Sequence, residues 1–150
     1  MPRLITLLLF VILVVGGGLL VGINNVPGEW YQALGKPPFN PPDWLFAPVW
    51  TALYVLIAIA GWRIWSRART GGAMTAWWLQ LGLNFLWSPI FFTLHSPAGA
   101  LAVIVAMLAA IAAFVALTWE RDRLSALLFV PYAAWVAFAT ALNAAIWWLN

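Results

Sequence analysis

Charged residues are scarce in this chain. Of its 150 residues, 7% are charged and 65% are hydrophobic, whereas a soluble domain is about 25% charged. So few charges cannot cover the surface of a soluble core of this size. The composition therefore predicts an integral membrane protein in contact with the lipid bilayer.

Cysteine is absent, which excludes a disulfide framework, a thiol nucleophile and a thiolate metal site. The single histidine, His95, cannot hold a metal alone, so no metal site is expected. No Asp, Glu, Lys, Arg or His side chain lies in the interior of a predicted membrane segment, although proton relays and ion-coupled transport normally need one there. The usual general acids and bases are missing too, and nothing indicates nucleic-acid binding or a required cofactor.

Long hydrophobic runs, by contrast, are plentiful. A spanning helix needs about 20 apolar residues, because a rise of about 1.5 Å per residue must cover about 30 Å of hydrocarbon. Runs this continuous exclude the alternating pattern of a β-barrel. We predict an all-α integral membrane fold, a five-transmembrane-helix bundle that forms one domain over residues 1–150. Its helices are Leu4–Ile23, Leu45–Trp65, Met74–Leu94, Ala98–Trp119 and Leu124–Leu149.

Basic residues predict the orientation. Only Lys36 lies in a loop on one side, and the positive-inside rule places the other side in the cytoplasm. We therefore expect a cytoplasmic N-terminus, an external C-terminus and a bacterial inner membrane. A signal peptide is the alternative for the first segment, but the run continues to Ile23 without a small-x-small cleavage site. The basic residues of the cytoplasmic side are Arg3, Arg63, Arg67, Arg69, Arg121 and Arg123.

The loop Asn24–Asp43 is rich in proline. Proline fixes its own φ and disfavours helix in the residue before it, so the loop should be extended and stiff. We predict that it forms a proline-rich lid between the first two helices. Anchoring of its aromatic rings at the membrane interface is an equally open interpretation. The lid residues are Trp30, Pro37, Phe39 and Trp44.

Most of the 12 tryptophans are predicted to form belts at the two membrane interfaces. The cytoplasmic belt comprises Trp62, Trp65, Trp77, Trp78 and Trp119, and the outer belt comprises Trp30, Trp44, Trp147 and Trp148. The remaining three, Trp50, Trp87 and Trp135, lie within the spans, at depths of about 9, 10 and 18 Å from the outer boundary.

Polar residues point to the same layer. On three helices they share a face with these tryptophans at a spacing of three or four residues. The faces are Gln80–Asn84–Trp87–Ser88, Pro131–Trp135–Ala139–Asn143 and Trp50–Tyr54. Buried amides need partners, so we expect these faces to turn inward around an apolar cavity. Simple helix–helix adhesion is the alternative.

Glycine and proline add two predictions about the helices. Gly18 and Gly22 have the small-xxx-small spacing that permits close contact, either within the bundle or between two copies. Pro48, Pro89 and Pro131 lie within spans, where each can kink its helix.

Three stretches resemble the signature regions of the translocator protein family, the tryptophan-rich sensory proteins related to the peripheral benzodiazepine receptor. They read WYQALGKPPFNPPDWLFAPVWTALY (30–54), QLGLNFLWSPIFF (80–92) and PYAAWVAFATALN (131–143). The resemblance implies a homodimeric five-helix bundle that acts as a receptor, carrier or sensor. Its implied ligands are porphyrins such as protoporphyrin IX or heme, sterols and drug-like aromatic molecules.

The resemblance also implies site residues. Those it implies for the ligand pocket are Ala47, Trp50, Asn84, Trp87, Phe91, Trp135, Ala139 and Leu142, and the shared helix faces add Tyr54 and Asn143. Trp50 and Trp135 match positions that in some bacterial members support light-dependent porphyrin breakdown, a photo-oxidative reaction. The alternatives are therefore a porphyrin-degrading enzyme and a membrane scaffold without a ligand.

One departure concerns sterols. Some members have an aromatic tyrosine and then a basic residue after the Leu-Asn pair of the fifth helix. Here Leu142 and Asn143 are followed by AAIWWLN, without either residue. The sequence therefore does not predict sterol binding through that motif.

Overall fold

The computed structural model describes residues 2–150, which form six helices and no strand. Four of them, α1, α3, α5 and α6, are long and apolar enough to cross a membrane, so the chain is an all-helical membrane protein. The helices are α1 (Pro2–Asn24, with a π turn at Ile12–Gly16), α2 (Glu29–Ala33), α3 (Phe46–Arg67), α4 (Gly72–Ser88), α5 (Pro97–Thr118) and α6 (Arg123–Leu149).

Helix α4 has 17 residues and is shorter than the predicted span Met74–Leu94. Pro89 has no N–H to donate to the carbonyl four residues earlier, so the regular ladder stops there. The chain continues as a π-helical turn, Pro89–Thr93, in which the Leu94 N–H donates to the Pro89 carbonyl at 2.9 Å. The proline thus changes the helix type without ending the helical path.

The other prolines act differently. Pro48 lies in the first turn of α3, where the missing N–H has no intrahelical acceptor in any case. Helix α6 continues through Pro131. Of the three prolines, only Pro89 therefore marks a change in helix type.

The loop between α1 and α3 contains the short helix α2, which the sequence analysis missed. The prediction of a wholly extended loop was wrong because residues 28–36 contain no proline. Lys36 stabilises the end of α2, since its Nζ donates to the Tyr31 carbonyl at 2.8 Å and lies 4.5 Å from the centre of the Tyr31 ring. Its charge compensates carbonyls that a helix end leaves unpaired.

The long helices form a ring in which each packs on its neighbours. α1 packs on α3, α3 on α6, α6 on α5 and α5 on α4, and the second half of α1 contacts α4. We call the end with Arg63 and Asp122 the basic end. The opposite end, with α2 and His95, is called the loop end.

Glycines allow two helix pairs, α1 with α3 and α3 with α4, to approach closely. A Cβ on Gly18 of α1 would lie 2.3 Å from the Tyr54 ring, and one on Gly61 of α3 would lie 2.3 Å from the Trp77 indole. Gly18 is thus used for packing within the chain, one of its two predicted uses. A Cβ on Gly22 would meet no heavy atom within 4 Å.

Trp77 is a core residue, and its predicted place in an interfacial belt was wrong. The side chain is fully buried, and its indole Nε1 donates to the Ile57 carbonyl at 2.9 Å. The space left by Gly61 admits the ring. By contrast, Trp44 and Trp148 at the loop end are 72% and 84% exposed, as expected of interfacial side chains.

An ion pair joins α3 to the start of α6 at the basic end. The Arg63 guanidinium donates to both carboxylate oxygens of Asp122, at 3.1 and 2.8 Å, and the Ser125 hydroxyl donates to the same carboxylate. Burial alone would raise the pKa of Asp122. The hydrogen bonds from Arg63 and Ser125 outweigh burial and hold that pKa below its usual value.

Candidate functional site

A chain of hydrogen bonds connects α3, α4 and α6 in the middle of the bundle. The Tyr54 hydroxyl donates to Asn84 Oδ1 at 3.4 Å, and Asn84 Nδ2 donates to the Tyr132 hydroxyl at 2.7 Å. Tyr132 in turn donates to Gln80 Oε1 at 2.7 Å. These polar groups satisfy one another, so the hydrogen bonds hold the three helices together.

Tyr132 is the central member that the sequence analysis did not select. Pro131 was expected on the inward face of α6, yet it is exposed while Tyr132 is fully buried. At 3.6 residues per turn, each four-residue step rotates by about 40° beyond a full turn. Three such steps separate Pro131 from Asn143, so one narrow face cannot contain both.

A second cluster lies at the loop end. The Trp87 indole Nε1 donates to Asn143 Oδ1 at 2.9 Å, and Asn143 Nδ2 donates to the Pro97 carbonyl at 2.8 Å. Trp87 also stacks on Phe91, with ring centroids 4.9 Å apart, and Leu142 is buried in the same cluster. The structure thus brings four predicted site residues together, and the Asn143 amide is satisfied within the protein.

Trp135 lies in an aromatic wall between α3 and α6. Its ring centroid is 5.9 Å from that of Phe46 and 5.6 Å from that of Phe138, while Phe39 of the predicted lid is 6.1 Å from Phe138. The Trp135 Nε1 is buried, and no residue of the described part of the chain accepts a hydrogen bond from it. A buried donor without a partner costs about 1–3 kcal/mol.

Trp50 has its own contacts, with ring centroids 5.6 Å from Tyr54 and 6.3 Å from Tyr132. Within residues 2–150, no ring contact joins Trp50, Trp87 and Trp135 directly. We call the level of the bundle that contains Trp50, Trp87 and Trp135 the aromatic layer. The three tryptophans border separate parts of this layer. Ala139 is half-buried near Trp135, and Ala47 is exposed.

The segment predicted as a lid packs on the loop end. The Trp30 ring stacks on the His95 imidazole, with centroids 4.3 Å apart and planes at 9°. The Asn150 side chain accepts from the Gly35 N–H at 3.0 Å and donates to the Gly35 carbonyl at 2.9 Å. Pro37 is buried, whereas Trp44 is exposed. Neither the His95 stack nor the Asn150 pair was predicted, because both depend on contacts distant in the sequence.

Tyr31 fixes the middle of the same segment. It is 6% exposed and meets Phe92 edge-on at 5.4 Å. Burial first, and the nearby Asp43 carboxylate second, raise the pKa of the Tyr31 hydroxyl above its usual value. The phenol is therefore neutral at physiological pH and acts as a packing group.

Two open cavities lie at the ends of the bundle. One, of about 390 Å³, is at the loop end between Trp30, His95, Trp147 and Asn150. The other, of about 210 Å³, is at the basic end. Neither is lined by Trp50, Trp87 or Trp135.

Comparison with known proteins gives consistent matches over most of the chain. The model of the TspO/MBR family matches residues 9–149. Protein CrtK of Rhodobacter capsulatus is 42% identical over 128 residues, which cover 83% of this chain and 80% of that protein. Tryptophan-rich protein TspO of Archaeoglobus fulgidus is 42% identical over 123 residues (81% and 80%). The human translocator protein is 36% identical over 138 residues (87% and 82%).

Proposed function

The chain belongs to the TspO/MBR family, and from this premise we propose that it binds porphyrins and similar flat hydrophobic molecules in its aromatic layer. In this role it is a membrane sensor or carrier of tetrapyrroles. The names of its relatives, a translocator protein and tryptophan-rich proteins, agree with such a role. Large aromatic rings favour a flat polycyclic ligand because they stack on it.

The observation that carries this proposal is the unpaired indole N–H of Trp135. Nearly all buried polar groups in proteins have a partner, and this donor lies in a wall built from Phe46 and Phe138. An apolar ring system with an acceptor oxygen, such as a porphyrin carboxylate, matches both the wall and the donor. Trp87 differs in that its N–H already donates to Asn143, so it would offer a ligand its ring face alone.

The proposal includes the finer architecture. Helix α4 and the π turn Pro89–Thr93 together act as a fifth span, which completes the bundle. The segment from α2 to Trp44 acts as the lid, and its displacement opens the layer to a ligand. The basic end faces the cytoplasm of a bacterial inner membrane, and two copies form the homodimer.

Binding is tested by titrating the purified protein with protoporphyrin IX in the dark and following the quenching of tryptophan fluorescence. Trp135→Phe retains the ring stacking and removes the donor, so we expect porphyrin affinity to fall about tenfold, the value of one good hydrogen bond. Because the lost N–H is unpaired in the free protein, any decrease in the thermal midpoint should reflect only the packing lost with the smaller ring.

The control is Trp78→Phe, which changes an exposed indole on α4 outside the layer and should leave affinity unchanged. Equal affinity of Trp135→Phe and the parent chain would contradict the assignment of Trp135. Absence of saturable quenching in the parent chain would contradict porphyrin binding as a whole.

The light-dependent reaction implied for Trp50 and Trp135 stays a prediction. A parallel sample under illumination tests it through the loss of porphyrin absorbance. A loss of porphyrin absorbance that requires the protein and disappears in Trp50→Phe would show that the protein degrades porphyrin as well as binding it. Loss at the rate of free porphyrin would restrict the protein to binding.

A further inference from the structure

A small cavity at the basic end has the chemistry of an anion site. It is lined by one residue at the start of α1 and by the last two turns of α3, namely Arg3, Trp62, Arg63, Ser66 and Arg67. The Trp62 indole Nε1 donates to the Arg3 carbonyl at 3.0 Å. This bond fixes the two walls of the cavity to each other.

The guanidinium groups of the cavity are not all neutralised. Asp122 forms a bidentate pair with Arg63 at 2.8 Å and lies 3.7 Å from Arg67. The cavity thus holds three guanidinium groups against one carboxylate, which pairs with two of them, and Arg67 also donates to the Arg121 carbonyl at 2.9 Å. Among residues 2–150, no acceptor binds the Arg3 guanidinium. The net charge and the unused donors favour a bound anion, and the planar donor groups of arginine match phosphate oxygens.

The surroundings of the cavity favour a lipid as the source of that phosphate. Trp62 is of the type that lies at the level of lipid headgroups, and Leu4, Ile5 and Leu8 on α1 are exposed beside Arg3. An acyl chain along these side chains would place its headgroup at the guanidinium groups. Basic sites between membrane helices bind anionic headgroups in this way.

We propose that this cavity binds the phosphate headgroup of an anionic membrane lipid and retains the lipid at the junction of α1 and α3. The site is separate from the aromatic layer, which lies towards the opposite end of the bundle. It needs neither porphyrin binding nor the lid, so its test is independent of the proposed function.

The test uses the purified full chain in neutral detergent, with short-chain phosphatidylglycerol added and bound lipid counted by native mass spectrometry. The parent chain should bind phosphatidylglycerol more tightly than phosphatidylcholine. The double variant Arg3→Gln/Arg67→Gln should lower phosphatidylglycerol affinity about thirtyfold, at about fivefold for each basic side chain near a lipid headgroup. Arg63 is kept, so its pair with Asp122 remains intact.

The matched control is Arg69→Gln/Arg121→Gln, which removes the same charge from exposed residues of the basic end that do not line the cavity. Its affinity should change less than about threefold, because only long-range attraction is lost. Equal losses in the two double variants, or equal binding of the two lipids by the parent chain, would overturn the proposal.

Inorganic phosphate separates the two possible sources of the anion. At millimolar concentration it should leave phosphatidylglycerol bound, since the apolar face of α1 adds to the affinity for the lipid. Complete displacement by inorganic phosphate would assign the cavity to the free ion and overturn the lipid assignment.

Discussion

At the scale of single residues, two glycines with opposite surroundings show what the helix packing tolerates. Gly61 faces the indole of Trp77, where an added Cβ would lie 2.3 Å from a ring carbon. Trp77 cannot move easily, because it is fully buried and its N–H is bound to the Ile57 carbonyl. Gly82 on α4 is exposed, and an added Cβ there meets no atom within 4 Å.

We therefore expect Gly61→Ala to destabilise the protein by about 1–3 kcal/mol, the usual cost of an overpacked core. Gly82→Ala should be neutral or stabilise by up to about 1 kcal/mol, because alanine favours a helix over glycine. Thermal unfolding of both variants in one detergent, followed by circular dichroism, measures the difference. Similar unfolding midpoints for the two variants would show that the Trp77 ring can shift to accommodate the added methyl group.

The residue scale is also where sequence reasoning succeeded least. Spacing placed Asn84 and Asn143 inside correctly, because an amide in a membrane helix needs a partner. It could not identify those partners, Tyr132 and Trp87, because helix rotation decides which side chains meet. Trp77 was misplaced for the same reason, since the space that admits it is created by a glycine on another helix.

At the scale of elements, the Asp122 carboxylate connects α3 and α6. Its pKa is lower in the folded chain than in the unfolded chain. The pair with Arg63 therefore contributes its full stability above the unfolded value, about pH 4. The contribution is lost as pH falls through the lower folded pKa, where the carboxylate takes up a proton.

We expect the thermal midpoint to fall as pH decreases below about 4, and Asp122→Asn to remove that part of the pH dependence. At neutral pH the substitution should lower the free energy of unfolding by less than about 3–5 kcal/mol, the cost typical of breaking a fully buried pair. The cost is smaller here because 27% of the Arg63 side chain is exposed. Glu120→Gln, at an exposed neighbour, is the control. The same acid response in Asp122→Asn and the parent chain would contradict the assignment.

Long helices were easier to predict than short or irregular ones. The predicted boundaries of the four long helices lie close to the observed ones, because hydrophobic length alone determines a span. Helix α2 was missed because its five residues are too few for a periodic signal. The π turn after Ser88 was not predicted either, since a proline indicates a disturbed helix without specifying its form.

At the scale of the whole molecule, the segment between α1 and α3 is held by a contact that joins distant parts of the chain. The Asn150 amide pairs with both backbone groups of Gly35. This pair is exposed, so it contributes little to global stability. It restrains the predicted lid locally, as does the Trp30 stack on His95.

Asn150→Ala should raise amide hydrogen exchange over residues 29–36 by about tenfold, which corresponds to about 1.4 kcal/mol of local opening. The global thermal midpoint should change little. Asn24→Ala is the matched control, because the Asn24 amide donates to the Leu20 carbonyl of its own helix. Equal exchange in both variants, measured by mass spectrometry, would show that Asn150 does not restrain the segment.

A lipid bilayer is nearly impermeable to ions, and a continuous polar path through a membrane protein can let protons leak across it. The chain from Tyr54 through Asn84 and Tyr132 to Gln80 consists of groups without net charge. A proton could pass along it only if an amide accepted that proton, which is unfavourable in a low-dielectric interior. The same hydrogen bonds that hold three helices together therefore offer a proton no direct path from Tyr54 to Gln80.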